Sequence, residues 1–241
     1  MDISPRRMGS GFALRRSSLI GVFYPRYFGC YGKAVGIYTH LSDQFSVFST
    51  QVITCLDREA LYVLDGLLDH QTDLAITEHT ADTHGYTEQM FGLCFLLGFS
   101  FMPRIKAAED QYLYRMEASQ RFGALDPFFV ETVNTALILE QWDALVRLAA
   151  SLRQRRVPAH IVLQRLCHDS CRLGRALTGL GRIVKTIFLL RYMADAELRR
   201  HILLQLNRGE NRHFLARCLF FAQQGELTVG DLPGLINKPV A

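Results

Sequence analysis

The stretch Leu74-Ala75-Ile76-Thr77-Glu78-His79-Thr80-Ala81-Asp82-Thr83-His84-Gly85-Tyr86-Thr87-Glu88-Gln89-Met90-Phe91-Gly92-Leu93-Cys94-Phe95-Leu96-Leu97 decides the fold class. Leu74 to Asp82 reads as a strand that stops at Thr83-His84-Gly85. Thr87 to Leu97 is apolar nearly all round, which marks a helix buried under a sheet rather than a surface helix with one greasy stripe. Phe99 to Met102 fits a second short strand, ended by Pro103 because proline cannot donate to a ladder. Upstream, Val35 to Tyr38 and Phe45 to Cys55 carry short β-branched and apolar runs around Ser42-Asp43-Gln44, the pattern of a β-hairpin. Asp57 is placed to cap a helix reaching Leu68, with Leu61, Leu64, Gly66, Leu67 and Leu68 as its buried stripe. Strands and helices in this order predict a mixed α/β beginning. Residues 1–33 read as irregular, rich in Arg, Gly and Ser and then in aromatics. After Pro103 helical periodicity dominates through Phe221, with breaks expected at Asp126-Pro127, Val157-Pro158, and Gly179 and Gly181.

The chain has 241 residues, 49% of them hydrophobic and 21% charged, enough for one sizeable core and too apolar for wholesale disorder. Leu19 to Phe23 lies behind Arg15 and Arg16 and is too short for a signal peptide. Ile183 to Met193 is interrupted by Lys185 and Arg191, whereas a spanning helix needs about 20 apolar residues. A soluble, cytoplasmic protein with no membrane partner is therefore expected. The six cysteines form no CxxC, and Cys167-His168 with Cys171 lacks a second pair at zinc spacing, so buried or helix-face thiols are expected. The net charge of +4 hides a segregation: residues 1–33 carry +5, 34–146 carry −11 and 147–217 carry +11. Carboxylates that hold cations and arginines that hold phosphates would produce this pattern, and so would two solvated faces that pair with each other.

Two places can carry chemistry. Asp82 falls at the C-terminal end of a predicted strand just before a helix, the edge of an α/β sheet where ligands gather. There it is a natural ligand for Mg²⁺, or simply the residue that ends the strand. The second place is Leu206-Asn207-Arg208-Gly209-Glu210-Asn211-Arg212-His213, where Asn207 to Gly209 is expected to break one helix and Glu210 to open the next. Glu210 and His213 share a helix face, and Arg208 and Arg212 beside the acid could grip a phosphodiester. A Glu in a first helical turn also stabilises the helix dipole with no further role. Gly179-Leu180-Gly181 lacks the Gly-Lys-Ser/Thr of a phosphate loop and reads as a helix break; neither a GxSxG elbow nor an HExxH zinc helix occurs.

Several runs together resemble the Tn3-family transposases of class II, replicative transposons. They are Phe23-Tyr24-Pro25-Arg26-Tyr27-Phe28-Gly29, Ile37-Tyr38-Thr39-His40-Leu41-Ser42-Asp43-Gln44, Arg58 to Leu68, Asp82 to Gln89, and Leu204-Gln205-Leu206-Asn207-Arg208-Gly209-Glu210, with a weaker match at Gly181-Arg182 and Lys185-Thr186. The resemblance runs from about Phe12 to Gly230. It implies a ribonuclease-H-like mixed sheet with a large helical insertion before the last acidic residue. The expected parts are an irregular segment 1–33, the α/β core 34–103, the helical insertion 104–206, and a final helix with the glutamate motif in 207–241. It also implies an Asp-Asp-Glu set holding Mg²⁺ or Mn²⁺ for DNA nicking and strand transfer, with Asp82 as the second carboxylate and Glu210 as the third, 128 residues further on. Arg182, Lys185, Arg208, Arg212 and His213 are the expected DNA contacts. The family's first Asp stands in Ser-Asp-Gly, and the matching stretch here is Arg7-Met8-Gly9, so Met8 occupies that position. The resemblance thus implies a truncated copy with impaired autonomous activity, without the large region that recognises transposon ends and without the family's continuation after Gly225-Glu226. Whether the chain is itself an enzyme stays open at this point. DNA (transposon ends and target) is the expected partner, with a second copy or a full-length transposase beside it. The alternatives are a non-catalytic DNA-binding or assembly-interfering fragment, and a helical interaction protein built on residues 127–222.

Overall fold

In the strand Lys33–Leu41 (β3) buried residues dominate, with Tyr38 and His40 sealed on one face, and this strand organises the first sheet. A computed structural model describes residues 9–14, 21–23, 33–55, 59–83, 86–166 and 171–219. Gly9–Leu14 (β1) pairs antiparallel with β3 in the register Gly9↔Tyr38 to Leu14↔Lys33, the short Val22–Phe23 (β2) pairs with its first two residues, and Val47–Thr54 (β4) completes the expected hairpin. The region read as irregular therefore contains strands. Gly9-Ser10-Gly11 has poor strand propensity, and its pairing comes from the neighbouring ladder rather than from local sequence. Leu74 is exposed and outside the sheet, so the strand expected from 74 begins later, as Glu78–Ala81 (β5).

A 3₁₀ turn at Glu59–Tyr62 leads into Val63–Leu68 (α1); the expected cap at Asp57 lies outside the described residues. Glu88–Leu97 (α2) is the anticipated buried helix. Thr87 Oγ1 accepts from Met90 N at 3.2 Å at its start, and Gly98 closes it at φ +83°. Ser100–Pro103 (β6) then pairs parallel with β5, which completes the strand–helix–strand unit.

Beyond Pro103 the expectation that helical periodicity dominates holds only from Thr135 onward. Leu113–Arg115 (β7) and Phe129–Thr132 (β8) form a parallel pair, separated by a 3₁₀ turn at Gly123–Phe128. Arg115 ties this segment together by donating to Phe129 O at 2.8 Å and to Asp126 Oδ1 at 2.9 Å. Helices follow at Thr135–Glu140 (α3), Trp142–Arg153 (α4), Ala159–Leu166 (α5), Arg172–Ala194 (α6) and Ala196–Leu219 (α7). The break at Val157-Pro158 is present between α4 and α5. The other two expected glycine breaks are absent: Gly179 and Gly181 lie inside α6, and Asn207 to Gly209 lie inside α7. Gly181 serves close packing instead, because a Cβ there would sit 1.7 Å from Glu88 O. The true interruption is Asp195, whose Oδ1 accepts from Glu197 N at 2.9 Å and Leu198 N at 3.1 Å. The helix α5 is capped across the fold rather than locally, Asp65 Oδ1 accepting from Ala159 N at 2.6 Å.

Among the described cysteines Cys94 is buried, and burial pushes its thiol up. Cys171 caps α6 by accepting from Gly174 N at 3.4 Å, while Cys218 is an exposed thiol on α7, within the expectation of buried or helix-face thiols. Cys30, Cys167 and His168 lie outside the described residues. No helix among the described residues is long and apolar enough to cross a membrane.

Two buried imidazoles join the sheets, with ring centroids 5.6 Å apart. His40 Nε2 donates to Val63 O (3.1 Å), and His79 stacks on Phe101. Burial lowers His40 to about 4 and His79 to about 3 from an ordinary 6.5. A base depressed by folding stabilises the fold fully above its unfolded pKa, and that stability is lost as pH falls through the folded value. Stability should thus decline between pH 6.5 and about 4, by roughly 3 kcal/mol from His40 alone. Acid titration followed by circular dichroism checks this. His79→Phe, which keeps a ring against Phe101, should move the transition to lower pH, and an unchanged midpoint would show that the rings titrate in solvent.

Candidate functional site

Asp82 directly follows β5, as the sequence predicts. Its charge reaches the buried Tyr38 hydroxyl, which burial raises most, with Glu59 and then Asp82 adding to the rise. Tyr38 is also the β3 partner of Gly9. Glu59 and Asp82 both lie within electrostatic reach of one buried phenol. Sequence reasoning named Asp82 there and missed Glu59 and Tyr38, although all three lie in stretches that carry the family resemblance.

The loop after Asp82 is held from α6. Arg182 Nε donates to Glu88 Oε2 at 2.8 Å, its Nη1 reaches Glu131 Oε2 at 3.3 Å, and its guanidinium lies 4.7 Å from the Tyr114 ring centroid. The Tyr114 hydroxyl donates to Glu88 Oε1 at 3.1 Å. Lys185 is buried, with its ammonium 5.7 Å from the Tyr86 ring, and burial lowers its pKa. Of the two cations expected to contact DNA here, Arg182 holds the first turn of α2 against α6, and Lys185 lies against the Tyr86 ring just before that turn. Their sequence spacing, three residues on one helix, showed that they share a face but not that carboxylate and aromatic side chains occupy it.

Glu210 lies in the interior of α7, so the dipole argument for a first-turn acid does not apply to it. Two contacts orient this helix. His201 Nε2 is 3.6 Å from Glu78 Oε2 at the start of β5, and Arg208 Nη1 donates to Asp43 O at 2.8 Å in the turn between β3 and β4. Glu78 and Asp82 stand at opposite ends of β5, roughly 13 Å apart along a strand. Arg208 and Arg212 share the helix face toward the hairpin, with Glu210 on the opposite side. Arg212 is exposed and His213 half-buried. The structure thus places Glu59 and Asp82 within electrostatic reach of Tyr38, Arg182 and Lys185 beside Glu88 and Tyr86, and Arg208 at the hairpin with Arg212 one helical turn on. Among the described residues no three or more His, Cys, Asp or Glu side chains come together as a metal-holding group.

The family profile described as the Tn3 transposase DDE domain matches residues 9–235. The chain is 45% identical over 198 residues to the transposase of transposon Tn1546 from Enterococcus faecium, a match covering 81% of this chain and 20% of that protein. It is 42% identical over 201 residues to the transposase of Tn501 from Pseudomonas aeruginosa, with 82% and 20% covered. To the transposase of transposon gamma-delta from Escherichia coli (strain K12) it is 37% identical over 204 residues, with 84% and 20% covered. The chain spans about a fifth of the length of these relatives.

Proposed function

Because the chain belongs to the family of Tn3 transposase DDE domains, we propose that it acts in DNA transposition as a DNA-binding transposase domain whose own strand-cleaving chemistry is impaired. The observation that carries this reading is the sequence register at Arg7-Met8-Gly9, which matches the family's Ser-Asp-Gly, with Arg7 and Met8 lying outside the residues the structure describes. Gly9 pairs with Tyr38, whose hydroxyl feels the charge of Asp82. In a ribonuclease-H-like arrangement, which the antiparallel β1–β3–β4 sheet followed by the β5–α2–β6 unit supports, the middle residue of that motif is the first carboxylate. Here it is Met8.

A bound pair of Mg²⁺ or Mn²⁺ ions would supply activation of water and of a 3′-hydroxyl. The residues present do not fit that pair. By sequence register a thioether, a poor ligand for a hard cation, replaces one of the three carboxylates, and Asp82 and Glu210 remain of the expected set. What the chain can do on its own is hold DNA. Residues 147–217 carry +11, and arginines on that scale neutralise phosphates and release counterions. Transposon ends and target DNA are the proposed ligands, and a second copy or a longer transposase is the proposed protein partner. Its place is then the bacterial cytoplasm, on the nucleoid when bound.

The test is fluorescence anisotropy with labelled duplex DNA across a salt series, paired with a nicking assay in Mg²⁺. Affinity should fall steeply, with a log–log slope of about −0.9 for each phosphate neutralised, and nicking should stay at background. No duplex binding at low salt, or nicking at the rate of an intact transposase, would overturn the reading.

A further inference from the structure

The tip of the β3–β4 hairpin carries an aromatic side chain in a costly place. Phe45 has φ +62°, a region that bulky L-residues rarely adopt and that costs about 1–2 kcal/mol. Glycine or asparagine would serve such a tip without strain. The turn is well tied, with Ser42 N donating to Ser46 O at 2.8 Å and the two serine hydroxyls 2.7 Å apart, so the strained residue is fixed rather than loose. Its ring is nevertheless 57% exposed. A residue 163 positions later comes to it: the Arg208 guanidinium lies 5.4 Å from the ring centroid while Nη1 holds Asp43 O. Arg212 is exposed one helical turn further along the same face.

We propose that Phe45, backed by Arg208, is a stacking platform for an unpaired base of single-stranded or melted DNA, with Arg212 beside it for the adjoining phosphate. One side of the ring is covered by a guanidinium and more than half of its surface remains open. An added base would extend an arginine–aromatic stack, the arrangement by which proteins hold single strands without reading sequence. The excess of arginine on α7 favours an anionic polymer over a protein partner here: Arg199, Arg200, Arg208 and Arg212 face Glu197 and Glu210. The proposal rests on the DNA-binding reading above and adds to it the form of DNA engaged.

Anisotropy with a labelled 12-nucleotide single strand and with the matching duplex separates the two claims. Phe45→Ala should weaken the single strand roughly 5- to 150-fold, the loss expected for one stacked base. It should leave duplex affinity and the salt slope unchanged. Phe45→Trp should retain single-strand binding and quench 2-aminopurine in the strand. Phe45→Gly, which relieves the positive φ, should lose single-strand affinity as Ala does while melting at or above the wild-type temperature, which excludes unfolding as the cause. Equal single-strand affinity for Phe45→Ala and wild type, with duplex binding intact, overturns the platform and leaves the DNA-binding reading standing. A wild-type chain that binds neither form overturns both, and binding of an arginine-complementary acidic protein in place of DNA overturns the platform as a nucleobase site.

Discussion

Gly181→Ala is expected to destabilise the protein by roughly 3 kcal/mol or more, lowering its melting temperature by about 10 °C. The added Cβ would stand 1.7 Å from Glu88 O and 2.5 Å from Glu88 C, both backbone atoms. Side chains can rotate away from an intruder, but a carbonyl in the first turn of α2 can move only if the helix moves. The facing residue Gly92 closes the other escape, since its own Cβ would meet Leu177 O at 2.9 Å. The two helices would have to separate along a seam that contains Phe91, Cys94, Leu177 and Leu180. The same separation would pull Arg182 from Glu88, whose ion pair lies one residue away. Gly179→Ala is the matched control: its Cβ would meet only the tips of Val133 and Ile138, at 3.2 and 3.3 Å. It should cost under about 1.5 kcal/mol, because those side chains can give. Thermal melts of the two variants side by side decide the point. Equal melting temperatures would mean that the α2–α6 crossing is looser than its geometry states.

That crossing also explains where the sequence was readable. The unit from Glu78 to Pro103 was legible because each of its parts has a local cause: a polar cap at Thr87, apolar residues all round α2, a glycine at its end and a proline after β6. Gly181 misled because a glycine that ends a helix and a glycine that admits a neighbouring helix look identical in one chain. Only the second helix tells them apart. The β7–β8 pair was hidden for a similar reason, since Arg115 joins segments whose own periodicity resembles helix. At the site, Asp82 was legible from its place at a strand end. Glu59, Tyr38 and Phe45 were not, because burial, a long-range charge and a positive φ leave no mark in composition or spacing.

Met8→Asp is expected to raise Mg²⁺- or Mn²⁺-dependent nicking of DNA by orders of magnitude over the wild-type background. The reason is electrostatic. Two cations held about 4 Å apart repel each other strongly, and a bridging carboxylate is the group that offsets that repulsion and fixes their spacing. Without it, only two of the three carboxylates remain to offset that charge. By sequence register the substitution restores the carboxylate of the family's Ser-Asp-Gly motif, one residue ahead of Gly9. Activity alone would be an ambiguous readout, so Mn²⁺ affinity measured by electron paramagnetic resonance is the second. It should tighten at least tenfold in the variant and return toward wild type when Asp82→Asn is added. A variant that folds and binds duplex DNA as wild type does, yet shows neither tighter Mn²⁺ binding nor nicking, would place the missing carboxylate elsewhere than position 8. Tighter Mn²⁺ binding without nicking would instead localise the remaining defect to Glu210, because the two strand carboxylates would then hold a cation that the helix carboxylate fails to meet.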